Sequence, residues 1–167
     1  MVPARWPSST SAWRTHLRDP LGGHPDAASF AQEYYGPTGD PKWPMGWRWP
    51  PNAGAVPGTE HTVTPGAGTV VDRIGGMGGE YFSPRDTPFG ERSLPPDRVS
   101  LQRRYWEIDE SHPDLASGRL RLEESRIAPW FGQPGGGQQY RFLDAEGNPL
   151  KAFELEQRGI IRERTHD

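Results

Sequence analysis

Apolar positions in this chain fall in short runs that glycine or proline repeatedly interrupts. One run has helical spacing. In "HPDAASFAQEYYG", Phe30, Tyr34 and Tyr35 share a face, Asp26 is placed as a cap and Gly36 ends the pattern. From Gly66 onward the period changes to two. "GTVVDRIG" opens and closes on glycine, "EYFSP" is a short second strand, and "RRYWEID" puts Arg104, Trp106 and Ile108 on one face and Arg103, Tyr105 and Glu107 on the other. "GRLRLEESRIA" alternates through Leu120 and Leu122 and, past an acidic break, Ile127. "QQYRFLDAEGNPLKAF" predicts a hairpin turning at "DAEGN", and "ELEQRGIIRER" a short helix stopped by Gly159 and then a final strand. The class is therefore α+β: a mainly antiparallel, twisted sheet, a few short helices near the N-terminus, and long Gly/Pro-rich loops. No repeat divides the chain. The pattern predicts one domain over residues 26–167 behind an extended N-terminal segment, residues 1–25.

Composition sharpens this picture. Only 32% of the 167 residues are apolar, and there are 21 glycines and 19 prolines, a balance that would suggest disorder in a chain of small side chains. Seven Trp, six Phe and five Tyr supply the missing bulk, so a core can be built from few residues. The net charge of −3 and the absence of a basic tract give no reason to expect nucleic acid. With no cysteine, disulfides, thiol nucleophiles and cysteine metal sites are excluded. No apolar run approaches the roughly 20 residues of a membrane helix, and "MVPARWPSSTSAWR" lacks the apolar stretch of a signal peptide.

Familiar site motifs fail. "GQPGGGQQ" lacks the Lys and Ser/Thr of a phosphate loop, and "IGGMGGEY" matches no dinucleotide fingerprint. The five histidines have no metal-binding spacing, "DAEGNPL" lacks the later acidic ligand of a calcium loop, and there is no G-x-S-x-G elbow. No metal is expected. "GDPKWPMGWRWPPNAG" is too dense in Pro and Trp for helix or central strand; it is either an aromatic plug on the core or a stacking surface for a planar ligand. Two arginines stand out by setting: Arg73 at the end of an apolar strand, and Arg92 between a glycine turn and a proline pair. Guanidinium groups held in this way can grip a pyrophosphate.

Four segments in order, "GTVVDRIGGMGGEYFSP", "TPFGERSLPP", "YWEI" and "IAPWFGQPGGGQQYRF", resemble the tuberculosis necrotizing toxin (TNT) domain family of NAD glycohydrolases; "WPPNAGAVPGT" upstream is a weaker fifth match. The resemblance covers roughly residues 45–165. It implies an enzyme that cleaves NAD or NADP, as substrate and with no further cofactor, into nicotinamide and ADP-ribose. It also implies the toxic part of a longer, secreted or delivered protein that acts in a target-cell cytosol, with a cognate immunity protein as partner. The family's functional arginines fall on Arg73 and Arg92, its tyrosine on Tyr81 and its glutamine on Gln139.

The chemistry suits such a set. The leaving group is a pyridinium that departs as a neutral ring, so the usual carboxylic acid on the leaving side is dispensable. Arg73 and Arg92 would hold the phosphates, Tyr81 and Phe131 would wall the nicotinamide end, and Gln139 would bind the ribose or orient water. Gly135, Gly136 and Gly137 would let the backbone approach the ligand. Two departures stand beside the resemblance: "LQRRYWEI" has no histidine where some members carry a catalytic one, leaving Arg103, Arg104 or neither in its place, and Ala55 stands where an aromatic often follows. Two other readings remain open at this point. One is a mono-ADP-ribosyltransferase using the Glu154 and Glu156 of "ELE"; the other is a non-catalytic NAD-binding module.

Overall fold

The structure, a computed structural model, describes residues 33–34 and 48–165. The expected N-terminal segment and most of the helix expected over 26–35 lie outside the described residues; Glu33 and Tyr34 are helical. Seven strands follow: β1 His61–Val63, β2 Val70–Ile74, β3 Ser83–Pro84, β4 Arg103–Ile108, β5 Arg121–Arg126, β6 Gln138–Leu143 and β7 Ile161–Arg164. They form two antiparallel sheets, ordered β1-β5-β6 and β3-β2-β4-β7. Among the described residues the sheets are bridged at Phe82 and Tyr140, whose backbone N–H groups each donate to the other's carbonyl at 2.9 and 2.7 Å.

The core follows the period-two pattern. Val71, Trp106, Ile108, Leu122 and Phe142 are all buried, and the ring of Phe82 meets Trp106 and Phe142 edge-on at 5.6 and 5.5 Å. Two short helices complete the described fold, α1 Pro113–Ala116 and α2 Ala152–Gln157. Ala152 and Leu155 of α2 join the core, and Gly159, at φ +73°, ends the helix before β7 as its position predicts. The hairpin expected at "DAEGN" is abbreviated. Asp144 Oδ1 accepts the N–H groups of Glu146 and Asn148 and closes the turn, but the returning limb pairs only over Asn148 to Leu150. Residues 152 and 153, expected in its second strand, begin α2 instead, because Ala152 N–H and Phe153 N–H bond back to Gly79 and Met77. No helix among the described residues is long and apolar enough to cross a membrane.

Candidate active site

A cleft of about 640 Å³ opens where the two sheets meet, a volume within the range of small-molecule sites. One wall begins at the end of β2. The guanidinium of Arg73 turns back into the glycine loop that follows, where Nη1 donates to Tyr81 O at 2.6 Å, and Nε and Nη2 donate to Gly76 O at 3.3 and 3.1 Å. A Cβ at Gly79 would overlap this guanidinium, so the glycine is what allows the arginine to lie there. Burial lowers the Arg73 pKa from its ordinary value, and the Arg92 charge adds to that while Glu80 opposes it. Tyr81, at the far end of the same loop, is 37% exposed and faces the cleft; burial raises its hydroxyl pKa.

Arg92 ends a 3₁₀ turn, Phe89–Arg92, and Ser93 beyond it adopts a left-handed conformation that its hydroxyl secures by donating to Ala128 O at 2.7 Å. Arg92 is itself buried. Its Nε donates to Thr87 O at 2.9 Å, and Nη2 lies 2.6 Å from Asp72 Oδ1 in a buried ion pair. Asp72 is wholly buried; its Oδ2 accepts the Asp86 N–H at 2.8 Å, and Arg103 Nη1 stands 4.0 Å away. Burial pushes the Asp72 carboxyl above its ordinary range despite Arg92, and it likewise lowers the Arg92 pKa despite Asp72. Tyr105 extends this network by donating to Asp86 Oδ1 at 2.9 Å.

The other wall comes from β6 and the loop before β1. Gln139 is 8% exposed, and its Nε2 donates to Ala53 O at 3.0 Å. That bond clamps a turn in which Asn52, Ala53 and Gly54 all have positive φ, and Gln139 Oε1 packs so close to Gly54 that a Cβ there would be 3.3 Å from it. Trp49 and Pro50, just before the turn, also line the cleft.

The structure thus gathers Arg73, Tyr81, Arg92 and Gln139 around one cleft, and leaves out other residues expected there. Phe131 is fully buried under Trp49, with the two rings edge-on at 5.6 Å, and cannot wall a ligand from that position. Gly136 and Gly137 do not line the cleft either. The glycine run packs on the protein itself: a Cβ at Gly135 would meet Ala128 O at 2.7 Å, and one at Gly137 would meet Glu91 O at 2.9 Å. Neither candidate for the absent histidine reaches the cleft. Arg104 pairs with Glu163 at 3.1 Å, and Arg103 stands behind Asp72. Glu154 accepts the Lys151 N–H at the start of α2, and Glu156 accepts the Trp106 indole N–H at 3.1 Å. Both glutamates of the "ELE" pair are therefore outside the cleft. Sequence reasoning missed Asp72 and did not single out Trp49; the acidic residue beside Arg73 was the available signal for the first. Among the described residues no three His, Asp or Glu side chains are grouped to hold a metal.

Fold and site together define a small antiparallel α+β domain with an arginine-lined cleft at the junction of two sheets. The sequence pattern of the family described as "Tuberculosis necrotizing toxin" (TNT) matches residues 65–163, and the chain belongs to that family. It is 32% identical over 157 residues to the outer membrane channel protein CpnT of Mycobacterium tuberculosis, matching 86% of this chain but only 18% of CpnT. It is 31% identical over 97 residues to the conidial surface nicotinamide adenine dinucleotide glycohydrolase nadA of Aspergillus fumigatus, covering 55% of this chain and 41% of that protein. The solved structure of tuberculosis necrotizing toxin complexed with its immunity factor IFT superposes with a TM-score of 0.74 at 26% identity, over 93% of this chain and 87% of that one.

Proposed function

We propose that this chain hydrolyses the nicotinamide–ribose bond of NAD⁺ or NADP⁺. The observation that carries the reading is the meeting, in one cleft, of Arg73, Tyr81, Arg92 and Gln139 from four separate segments of a TNT-family chain. Arg73 and Arg92 bind the pyrophosphate through the guanidinium N–H groups that their protein partners leave unused. Tyr81 borders the nicotinamide end. The C1′–N bond breaks with its electron pair passing to the ring nitrogen, so neutral nicotinamide departs; water adds to the oxocarbenium carbon and releases its proton to solvent. Gln139, fixed by Ala53 O, presents its amide oxygen to the ribose or to that water. The bonds that hold these groups before any ligand arrives reduce the reorganisation the reaction requires.

The wider reading is a toxin domain of a longer, secreted or delivered protein that depletes NAD in a target cell and is neutralised by a cognate immunity protein. The test is incubation of wild type and Gln139→Ala with NAD⁺ and no acceptor protein. Equal release of nicotinamide and ADP-ribose by wild type, lost in the variant, is the expected result. No release by wild type would overturn the hydrolase reading.

A further inference from the structure

We propose that Trp49 is the platform on which the pyridinium ring of the oxidised dinucleotide stacks, and that it selects this ring over the reduced one; the inference rests on the hydrolase reading above. Trp49 is the most exposed large apolar residue among those described, at 52%, and it lines the cleft. Leaving so much indole in water forgoes burial energy, so its placement calls for a ligand more than for the core. The ring is nonetheless held. Phe131 meets it edge-on at 5.6 Å with planes at 89°, and Phe131 is in turn packed by Tyr34 at 5.4 Å. Pro50 restricts the Trp49 backbone to extended conformations.

Position in the cleft decides which end of the ligand it meets. Trp49 immediately precedes the turn that Gln139 clamps, and the space beside Gly54 is bounded by Gln139 Oε1 on one side and the Pro50 ring on the other. Trp49 is thus joined through Pro50 to the turn that holds Gln139, the amide assigned above to the reacting ribose, and the ring attached to that ribose carbon is the nicotinamide. A pyridinium is both planar and cationic, the combination an indole face attracts most strongly. Dihydronicotinamide is uncharged and no longer aromatic. The nicotinamide product is neutral, so the attraction falls as the bond breaks and the product is freed.

The experiment compares wild type, Trp49→Ala and Trp49→Phe by KM and kcat for NAD⁺ and by inhibition constants for NADH and ADP-ribose. Stacking and cation–π attraction together predict a KM for NAD⁺ raised roughly 10–100-fold in Trp49→Ala, with a smaller change in kcat and with most of the affinity restored in Trp49→Phe. ADP-ribose, which has no nicotinamide ring, should bind Trp49→Ala within about twofold of wild type, and NADH, which keeps the ring without its charge, should lose clearly less affinity than NAD⁺. An ADP-ribose constant weakened as much as the KM, or an unchanged KM in a variant that still releases nicotinamide, would overturn the assignment. If wild type releases no nicotinamide, the hydrolase reading fails by itself, and equilibrium binding of NAD⁺ against NADH to the same variants still reads the stacking.

Discussion

Removal of Asp72 tests the pair that holds Arg92. In Asp72→Ala the Arg92 guanidinium stays buried, with Thr87 O as its hydrogen-bond partner, while Arg103 keeps Asp86 Oδ1 at 3.7 Å. Arginine does not deprotonate to escape, so the charge stays uncompensated, at a cost of about 3–5 kcal/mol. The Asp86 N–H also loses its acceptor. At about 2–4 °C per kcal/mol for a chain of this length, the melting temperature should fall by roughly 6–20 °C. Arg92→Leu behaves differently because Asp72 can take up a proton. Burial already holds the Asp72 pKa above its ordinary value, and loss of Arg92 raises it further. A carboxyl raised on folding contributes stability below its unfolded pKa, and that contribution is lost as pH rises through the folded value. The deficit of Arg92→Leu should therefore narrow as the pH is lowered, while that of Asp72→Ala, measured against a wild type whose own raised Asp72 is favoured by acid, should not narrow. Thermal or urea unfolding of both variants and wild type at neutral and mildly acid pH reads this directly. An Asp72→Ala loss under about 1 kcal/mol, or deficits that change in parallel with pH, would refute the argument.

Other perturbations separate local from global roles. Gly79→Ala displaces the Arg73 guanidinium from its carbonyl partners, so NAD⁺ turnover should fall at least tenfold while the unfolding midpoint moves little, as seen by assay beside calorimetry. Gly135→Ala should cost about 2–4 kcal/mol, because its Cβ meets Ala128 O and φ is +62°; Gly136→Ala, at φ +88° in open space, should cost only about 1 kcal/mol in the same denaturant series. Tyr140, raised to about 12 by burial and then by Glu124, should be among the last phenols to ionise in an ultraviolet titration. Because its pKa rises on folding, the stability it contributes holds below its ordinary value and is lost as pH climbs through about 12; Glu124→Gln should bring its titration down.

The strands were legible because alternation reports burial: Trp106, Ile108 and Leu122 each take the place that the period-two pattern assigns. The arginines were legible from their settings at a strand end and beside prolines. Asp72 was not, since its partner Arg92 is brought to it only by tertiary folding, and in the sequence it reads as the neighbour of a different arginine. The glycine run was misread for a related reason. Three glycines announce a close approach but not what approaches; at Gly135 and Gly137 it is the protein's own carbonyls of Ala128 and Glu91, while Gly136 faces open space. Phe131, expected at the ligand, is instead covered by Trp49: an aromatic's exposure depends on what packs over it, which composition does not record.

The backbone bridge that links the sheets among the described residues, Phe82 with Tyr140, has Tyr81 on one side of it and Gln139 on the other. The candidate site is therefore assembled at a seam, with Arg73 on one sheet, Gln139 on the other, Tyr81 in the loop before β3 and Arg92 in a 3₁₀ turn. For anyone grafting, tagging or permuting this domain, the outer strands β1 and β7 are the places to cut or extend. An insertion beside the seam would shift one half of the site against the other even with every side chain intact.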